Sequence, residues 1–159
     1  YPRNLMKIHK LIERDNVLLD LPATDVRSAL AAVSEFMAPL LGLEAEEMAA
    51  ALMEREGLGS TSIGNGVAIP HAQIPELSRI ASAAVRFEQP VPFGGDKGTD
   101  VGFAFVVLSP PDQPAAHLQV LSQIARVLKR SDLREGLMTA GSADELTDVI
   151  CRAAESEGL

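Results

Sequence analysis

The chain has 159 residues, 47% of them hydrophobic and 23% charged, a balance that excludes bulk disorder and leaves enough apolar surface for one compact core. Its longest apolar runs, such as Phe103–Leu108, fall far short of the roughly 18 residues that a membrane span requires. Fourteen Lys and Arg against 22 Asp and Glu give a net charge of −8, a field that repels nucleic-acid phosphates and anionic lipid and suits a basic partner.

The lone cysteine, Cys151, cannot form an internal disulfide, and no basic-then-apolar leader opens the chain, so a cytoplasmic location without membrane insertion is expected. Tyr1–Leu5 precede Met6 and a helix-like Lys7–Arg14 segment, and are set aside as residues ahead of the native start. Residues 6–154 then read as a single domain, with 155–159 as a C-terminal tail. No repeat or low-complexity linker divides that span.

Val17–Leu21 is a short β-rich run. Val26, Ala29, Leu30, Val33, Phe36, Met37, Leu40 and Leu41 recur at three and four residues, which predicts a helix with one buried stripe, stopped by Gly42. Glu44–Glu47 place carboxylates in the first turn of a second helix, where the macrodipole favours them, running to about Glu56 and ended by Gly57. Beyond it Gly64-Asn65-Gly66 predicts a turn, and Gly66–Ile69 a strand stopped by Pro70.

Ala81–Phe87 and Val101–Leu108 are two further predicted strands, the second so continuously apolar that both faces should be covered at the sheet centre. Gln89–Gly95 reads as a bend and connecting loop. Ser109-Pro110-Pro111 ends the second strand, and Pro114 opens a helix whose Leu118, Leu121, Ile124, Ala125 and Leu128 form its core stripe. The last helix starts at Ser142, which has capping-box spacing to Glu145, and continues through Leu146, Val149, Ile150 and Ala153. Helices first and then strands interleaved with helices predict an α/β fold: a mixed, mostly parallel sheet with helices on both faces.

Three histidines are available for chemistry. His71 follows the strand ending at Pro70 and His117 follows the strand ending at Leu108, so both fall where loops leaving the carboxyl ends of strands converge on a crevice. Pro70 stiffens the presentation of His71. A neutral His71 has a lone pair able to attack a phosphoryl group, while His117, in a helix's first turn, sits where anions are favoured and a protonated ring is not. Arg55, at the end of the second helix, is the natural further donor because its fork matches phosphate geometry.

Position alone leaves blander alternatives open: most histidines after strands are loop or partial-core residues, and Arg55 between two glutamates is by default a solvated charge. His9 reads as a surface residue. Three scattered histidines and one cysteine lack the paired spacings of a zinc site, although carboxylates could complete an unusual one. Neither GxGxxG nor GxxxxGK[ST] occurs, so nucleotide binding has no support.

The run Gly59-Ser60-Thr61-Ser62-Ile63-Gly64-Asn65-Gly66-Val67-Ala68-Ile69-Pro70-His71-Ala72 resembles the active-site signature of enzyme IIA of the bacterial phosphoenolpyruvate-dependent phosphotransferase system (PTS), fructose–mannitol type. Leu52–Glu56 upstream and His117-Leu118 downstream extend the resemblance over Met6–Ala154, and the signature is most like the nitrogen-regulatory branch. Ala72 stands where many relatives have glycine. The resemblance implies the mannitol-type IIA fold and no cofactor or metal. It implies that His71 accepts phosphate, typically on Nε2, from HPr or its nitrogen-branch counterpart NPr. Arg55 and His117 would steady the phosphoryl group, and Asn65 would belong to the binding turn without an assigned contact.

Two roles follow from the resemblance. One is a regulatory protein whose phosphorylation selects its protein targets; the other is a sugar-specific IIA that passes phosphate to a IIB for uptake. A binding module on the same fold without phosphoryl transfer is a third reading, from a different class.

Overall fold

A computed structural model of the protein describes residue 11, residues 16–94 and residues 100–159. His9 and Tyr1–Leu5, with most of the Lys7–Arg14 segment, lie outside the described residues. The described elements run β1 (Val17–Leu21), α1 (Val26–Leu41), α2 (Ala45–Gly57), β2 (Ser62–Gly64), β3 (Val67–Ala68), β4 (His71–Gln73), β5 (Ala81–Pro92), β6 (Asp100–Ser109), α3 (Pro114–Leu128), α4 (Ser131–Thr139) and α5 (Ala143–Ser156).

The sheet is mixed, as expected. Its order is β1-β5-β6-β3-β2, with β4 also paired to β6. β1 is parallel to β5, and β3 and β4 are parallel to β6, whereas the long β5–β6 ladder and the β2–β3 pair are antiparallel. β6 lies between two neighbours and is buried from Val101 to Ser109. Phe103, Phe105 and Val107 join the core under α3, α4 and α5, and Ala104, Val106 and Leu108 join the core under α1 and α2. Alternation on a pleated strand thus gives this continuous apolar run two covered faces.

The helix ends follow local chemistry. Asp25 and Ser28 cap α1 reciprocally, and Gly42 closes it in the left-handed conformation at φ 69°. Ser142 Oγ accepts the Glu145 amide at the start of α5, but the Glu145 carboxylate reaches Gly141 N rather than the cap residue's own amide, so the expected box is half formed. The expected C-terminal tail is partly helix, since α5 runs through Ser156 and the Leu159 amide donates back to Ala154 O at 2.8 Å.

Several details depart from the pattern. β5 continues through Gln89–Pro92, where a loop was expected, because a register shift between Arg86 and Val91 lets Val91 and Pro92 rejoin Val101 and Asp100; both prolines sit at or beyond that irregularity, where a missing donor is tolerated. Leu40 and Leu118, expected in core stripes, are 57% and 66% exposed. In α3 the buried face is His117, Val120, Gln123, Ile124, Val127 and Leu128. That helix is rotated so that His117, one position before Leu118, turns inward.

Candidate phosphoryl-transfer site

The Pro70 break builds the site. A proline cannot donate to a ladder, so pairing with β6 lapses at Ile69-Pro70 and resumes in the same register: Ala68 lies opposite Ala104 and His71 opposite Val107. His71 is therefore the first residue of β4, not a loop residue beyond a strand end. Proline interrupts the ladder without ending it. The Ile69 amide faces the β2 side, away from β6, and donates to Thr61 O at 3.0 Å, and the Ile69 carbonyl lies 2.7 Å from His71 Nδ1.

That contact fixes the imidazole's chemistry. A carbonyl oxygen only accepts, so Nδ1 carries the proton, and in the neutral ring Nε2 is left with a lone pair. Arg55 Nε donates to that Nε2 at 3.2 Å. Burial, and secondarily the Arg55 charge, push the His71 pKa below the ordinary 6.5 against the opposing pull of the Ile69 hydrogen bond and Glu56. Burial and the Arg55 donor both favour the neutral ring, which has its lone pair at Nε2.

Arg55 sits in the last turn of α2 and is anchored by Nη1 donating to Gly59 O at 2.9 Å. The next residue, Glu56, is buried and accepts both the Thr61 amide and the Thr61 hydroxyl at 2.8 Å. Adjacent residues thus grip the 57–61 loop twice, and Thr61 O in turn holds the Ile69 amide behind His71. Sequence reasoning missed Glu56 and Thr61. A glutamate in Glu54-Arg55-Glu56 reads as solvated, and only the loop folding over it makes it buried.

His117, in the first turn of α3, is 8% exposed, and its ring centroid lies 5.4 Å from that of His71, tilted by 55°. Its Nδ1 lies 2.5 Å from Ser109 Oγ. Burial, and then the proximity of His71, hold its pKa below the ordinary range. Arg55, His71 and His117 line one open cleft of about 380 Å³ with Glu54, Leu58 and Gln73. A neighbouring hollow of about 300 Å³ shares Ala51 and Gln73 with it and carries Glu44, Glu47 and Glu76.

The structure therefore brings together three of the four residues singled out in the sequence. Asn65 does not join them. It sits in the β2–β3 turn at φ 58°, between Gly64 and Gly66 at φ 90° and 79°, and lines a separate cavity with Asp100, Arg134 and Met138. Left-handed backbone, which asparagine tolerates better than most residues, accounts for its place in the turn. Among the described residues no group of three or more His, Cys, Asp or Glu could hold a metal ion, and no helix is long and apolar enough to cross a membrane.

On a mixed α/β sheet a broken strand thus presents one histidine beside a second ring and a guanidinium, the grouping that the resemblance of the sequence leads one to expect. Residues 10–153 match the family described as phosphoenolpyruvate-dependent sugar phosphotransferase system, EIIA 2, and the chain belongs to that family. It is 32% identical over 145 residues to a nitrogen regulatory protein of Bradyrhizobium diazoefficiens, covering 91% of this chain and 95% of that one. It is 34% identical over 105 residues to a PTS fructose-specific EIIA component of Haloferax volcanii, covering 66% and 68%. The crystal structure of the nitrogen regulatory protein IIA-Ntr from Neisseria meningitidis superposes with a TM-score of 0.84 at 29% identity, over 90% of this chain and 98% of that one.

Proposed function

We propose that the protein is a phosphohistidine carrier of the nitrogen-regulatory branch, accepting a phosphoryl group on His71 Nε2 from an HPr-like or NPr-like protein. The observation that carries this reading is the pair of contacts on the His71 ring: Nδ1–H is committed to Ile69 O and Nε2 faces Arg55 in an open cleft. In the transfer, the Nε2 lone pair forms the new N–P bond as the donor's P–N bond breaks, and the donor nitrogen keeps that electron pair. His71 retains its proton on Nδ1, so its phosphorylated ring is cationic beside an anionic phosphoryl group and no proton need move. Arg55 Nε swings from the spent lone pair to a phosphoryl oxygen. The loose transition state asks mainly for such positioning and for donors around its oxygens.

The surroundings favour a protein donor. Leu58 and Leu118 are 82% and 66% exposed, and Leu58 borders the cleft, an arrangement suited to an apolar contact at an interface core. Glu44, Glu47, Glu54 and Glu76 line the cleft and its neighbour, which complements a basic carrier. Such a cycle belongs in the cytoplasm, where phosphorylation of His71 would decide which regulatory targets bind.

Incubation with phosphoenolpyruvate, enzyme I and carrier should place acid-labile phosphate on the parent chain and none on His71→Ala. Equal labelling of the variant would assign the nucleophile elsewhere, and no labelling of the parent would favour the non-catalytic binding module. The fructose-specific relative supports a second reading, a sugar-specific IIA. Transfer of the label from His71 to fructose or mannitol IIB domains would establish it.

A further inference from the structure

The two histidines of the cleft are held by different kinds of partner. His71 Nδ1 meets a carbonyl, which has no proton to give. His117 Nδ1 meets the hydroxyl of Ser109, which has one proton and can also accept. The hydrogen-bond inventory of Ser109 decides which way that bond runs. Ser109 is the last residue of β6 and is fully buried. Its backbone carbonyl is occupied by the Ile74 amide at 2.8 Å, and the hydroxyl's one described hydrogen-bond partner is His117 Nδ1.

If His117 Nδ1–H donated to Ser109 Oγ, the serine proton would be left buried without an acceptor, and its desolvation would go uncompensated. If Ser109 O–H donates to a bare Nδ1, no buried donor is orphaned and the ring's proton sits on Nε2. Burial supports the same neutral ring, since His117 is almost wholly enclosed.

We propose that Ser109 is a positioning residue that holds His117 as the Nε2–H tautomer, so that the cleft contains one imidazole presenting a lone pair and a second presenting a proton. The role of this pairing rests on the reading of His71 as the phosphoryl acceptor: His117 Nε2–H becomes a neutral donor to a phosphoryl oxygen, where the opposite tautomer would aim a lone pair at it. A neutral donor neither repels the phosphorylated His71 ring nor competes for the phosphate as strongly as a second cation. Ser109 in Ser109-Pro110-Pro111 reads from sequence as a strand terminator, and its side chain reaches His117 only because α3 turns that ring inward.

The tautomers can be read without phosphate, which separates this inference from the carrier role. In protein labelled with ¹⁵N-histidine at pH 8, long-range ¹H–¹⁵N correlation should show His117 protonated at Nε2 and His71 protonated at Nδ1, with His9→Gln, His71→Gln and His117→Gln giving the assignments. A His117 protonated at Nδ1 in the parent overturns the proposal, whatever the transfer assay shows. Ser109→Ala should give His117 averaged nitrogen shifts from mixed tautomers and slow phosphoryl transfer to His71 about tenfold. Ser109→Thr, which keeps the hydroxyl, should restore both. If Ser109→Ala is folded and leaves His117 entirely Nε2-protonated, Ser109 does not set the tautomer and the proposal fails. Should Ser109→Ala not fold, the parent spectrum decides alone.

Discussion

Two arginines on opposite faces of the sheet use the same fork in opposite ways. Arg86, on β5, is buried; its Nη1 donates to Leu137 O at 3.1 Å and Ala140 O at 2.6 Å, and its Nε to Asp20 Oδ1 at 3.2 Å. It ties the C-terminal end of α4 to the edge strand β1, where Asp20 takes φ 56° within an irregular stretch of the ladder. Arg55 spends one nitrogen on Gly59 O and aims its Nε at His71 Nε2. The acceptors of Arg86 are fixed by the fold, whereas the acceptor of Arg55 Nε is a lone pair that chemistry can consume. A guanidinium bonded to a group that can leave it is poised for exchange; one bonded only to the scaffold is part of the scaffold.

Substitutions should separate the two. The largest expected effect is Arg55→Ala, which on the proposed role of Arg55 takes a donor from the transferring phosphoryl group and should slow labelling of His71 by about 10²–10³-fold. Its thermal midpoint should shift little, because the residue is only half-buried. Arg86→Met should do the reverse. Two buried carbonyls lose their donor, so urea unfolding should show a loss of about 2 kcal/mol, while transfer by the folded fraction stays near the parent rate. If Arg55→Ala unfolded the chain or Arg86→Met stopped transfer, the division between chemistry and scaffold would be wrong.

How far the sequence discloses this division depends on how local each signal is. β6 was legible as a two-faced central strand because six apolar residues in a row need cover on both sides. The end of α1 at Gly42 and the start of α5 at Ser142 were legible because caps are contiguous in sequence. α4 escaped notice because only Leu133 and Leu137 of its nine residues are buried, too few to set a period. β3 was legible within Gly66–Ile69, but β2 and β4 are three residues each, and they exist as strands only because β3 and β6 lie alongside them. Within the site, His71, His117 and Arg55 were candidates by residue type and position. Glu56, Thr61 and Ser109 were not, since a glutamate beside an arginine, a threonine in a Gly/Ser loop and a serine before two prolines all have ordinary local explanations.

Between the extremes of the two arginines stands Thr61, which serves both scaffold and site. Thr61→Val keeps the shape but removes the hydroxyl bond to the buried Glu56 carboxylate, and equilibrium unfolding should register about 1 kcal/mol. Because the same loop carries the Gly59 carbonyl that anchors Arg55, transfer should also fall, by less than in Arg55→Ala. A variant that loses stability with no change in transfer would show that Arg55 keeps its aim without this loop.

Acid should distinguish the two regions more gently. The folded chain holds His71 and His117 below the ordinary 6.5, chiefly by burial, so an unfolded chain takes up protons first as pH falls. Their contribution to stability is therefore complete above about pH 6.5 and is lost as pH drops from there through the lower folded values. Protonation also consumes the Nε2 lone pair that Arg55 faces, so labelling should stay level from pH 8 to about 6.5 and decline only below it. Below that point, the protection of the Thr61, Ile69 and His71 amides against exchange should fall before that of residues 137–140 beside Arg86, because among the described residues only the first region has imidazoles to charge. His71→Gln with His117→Gln should erase the difference. Its persistence in the double variant would place the acid-sensitive group elsewhere.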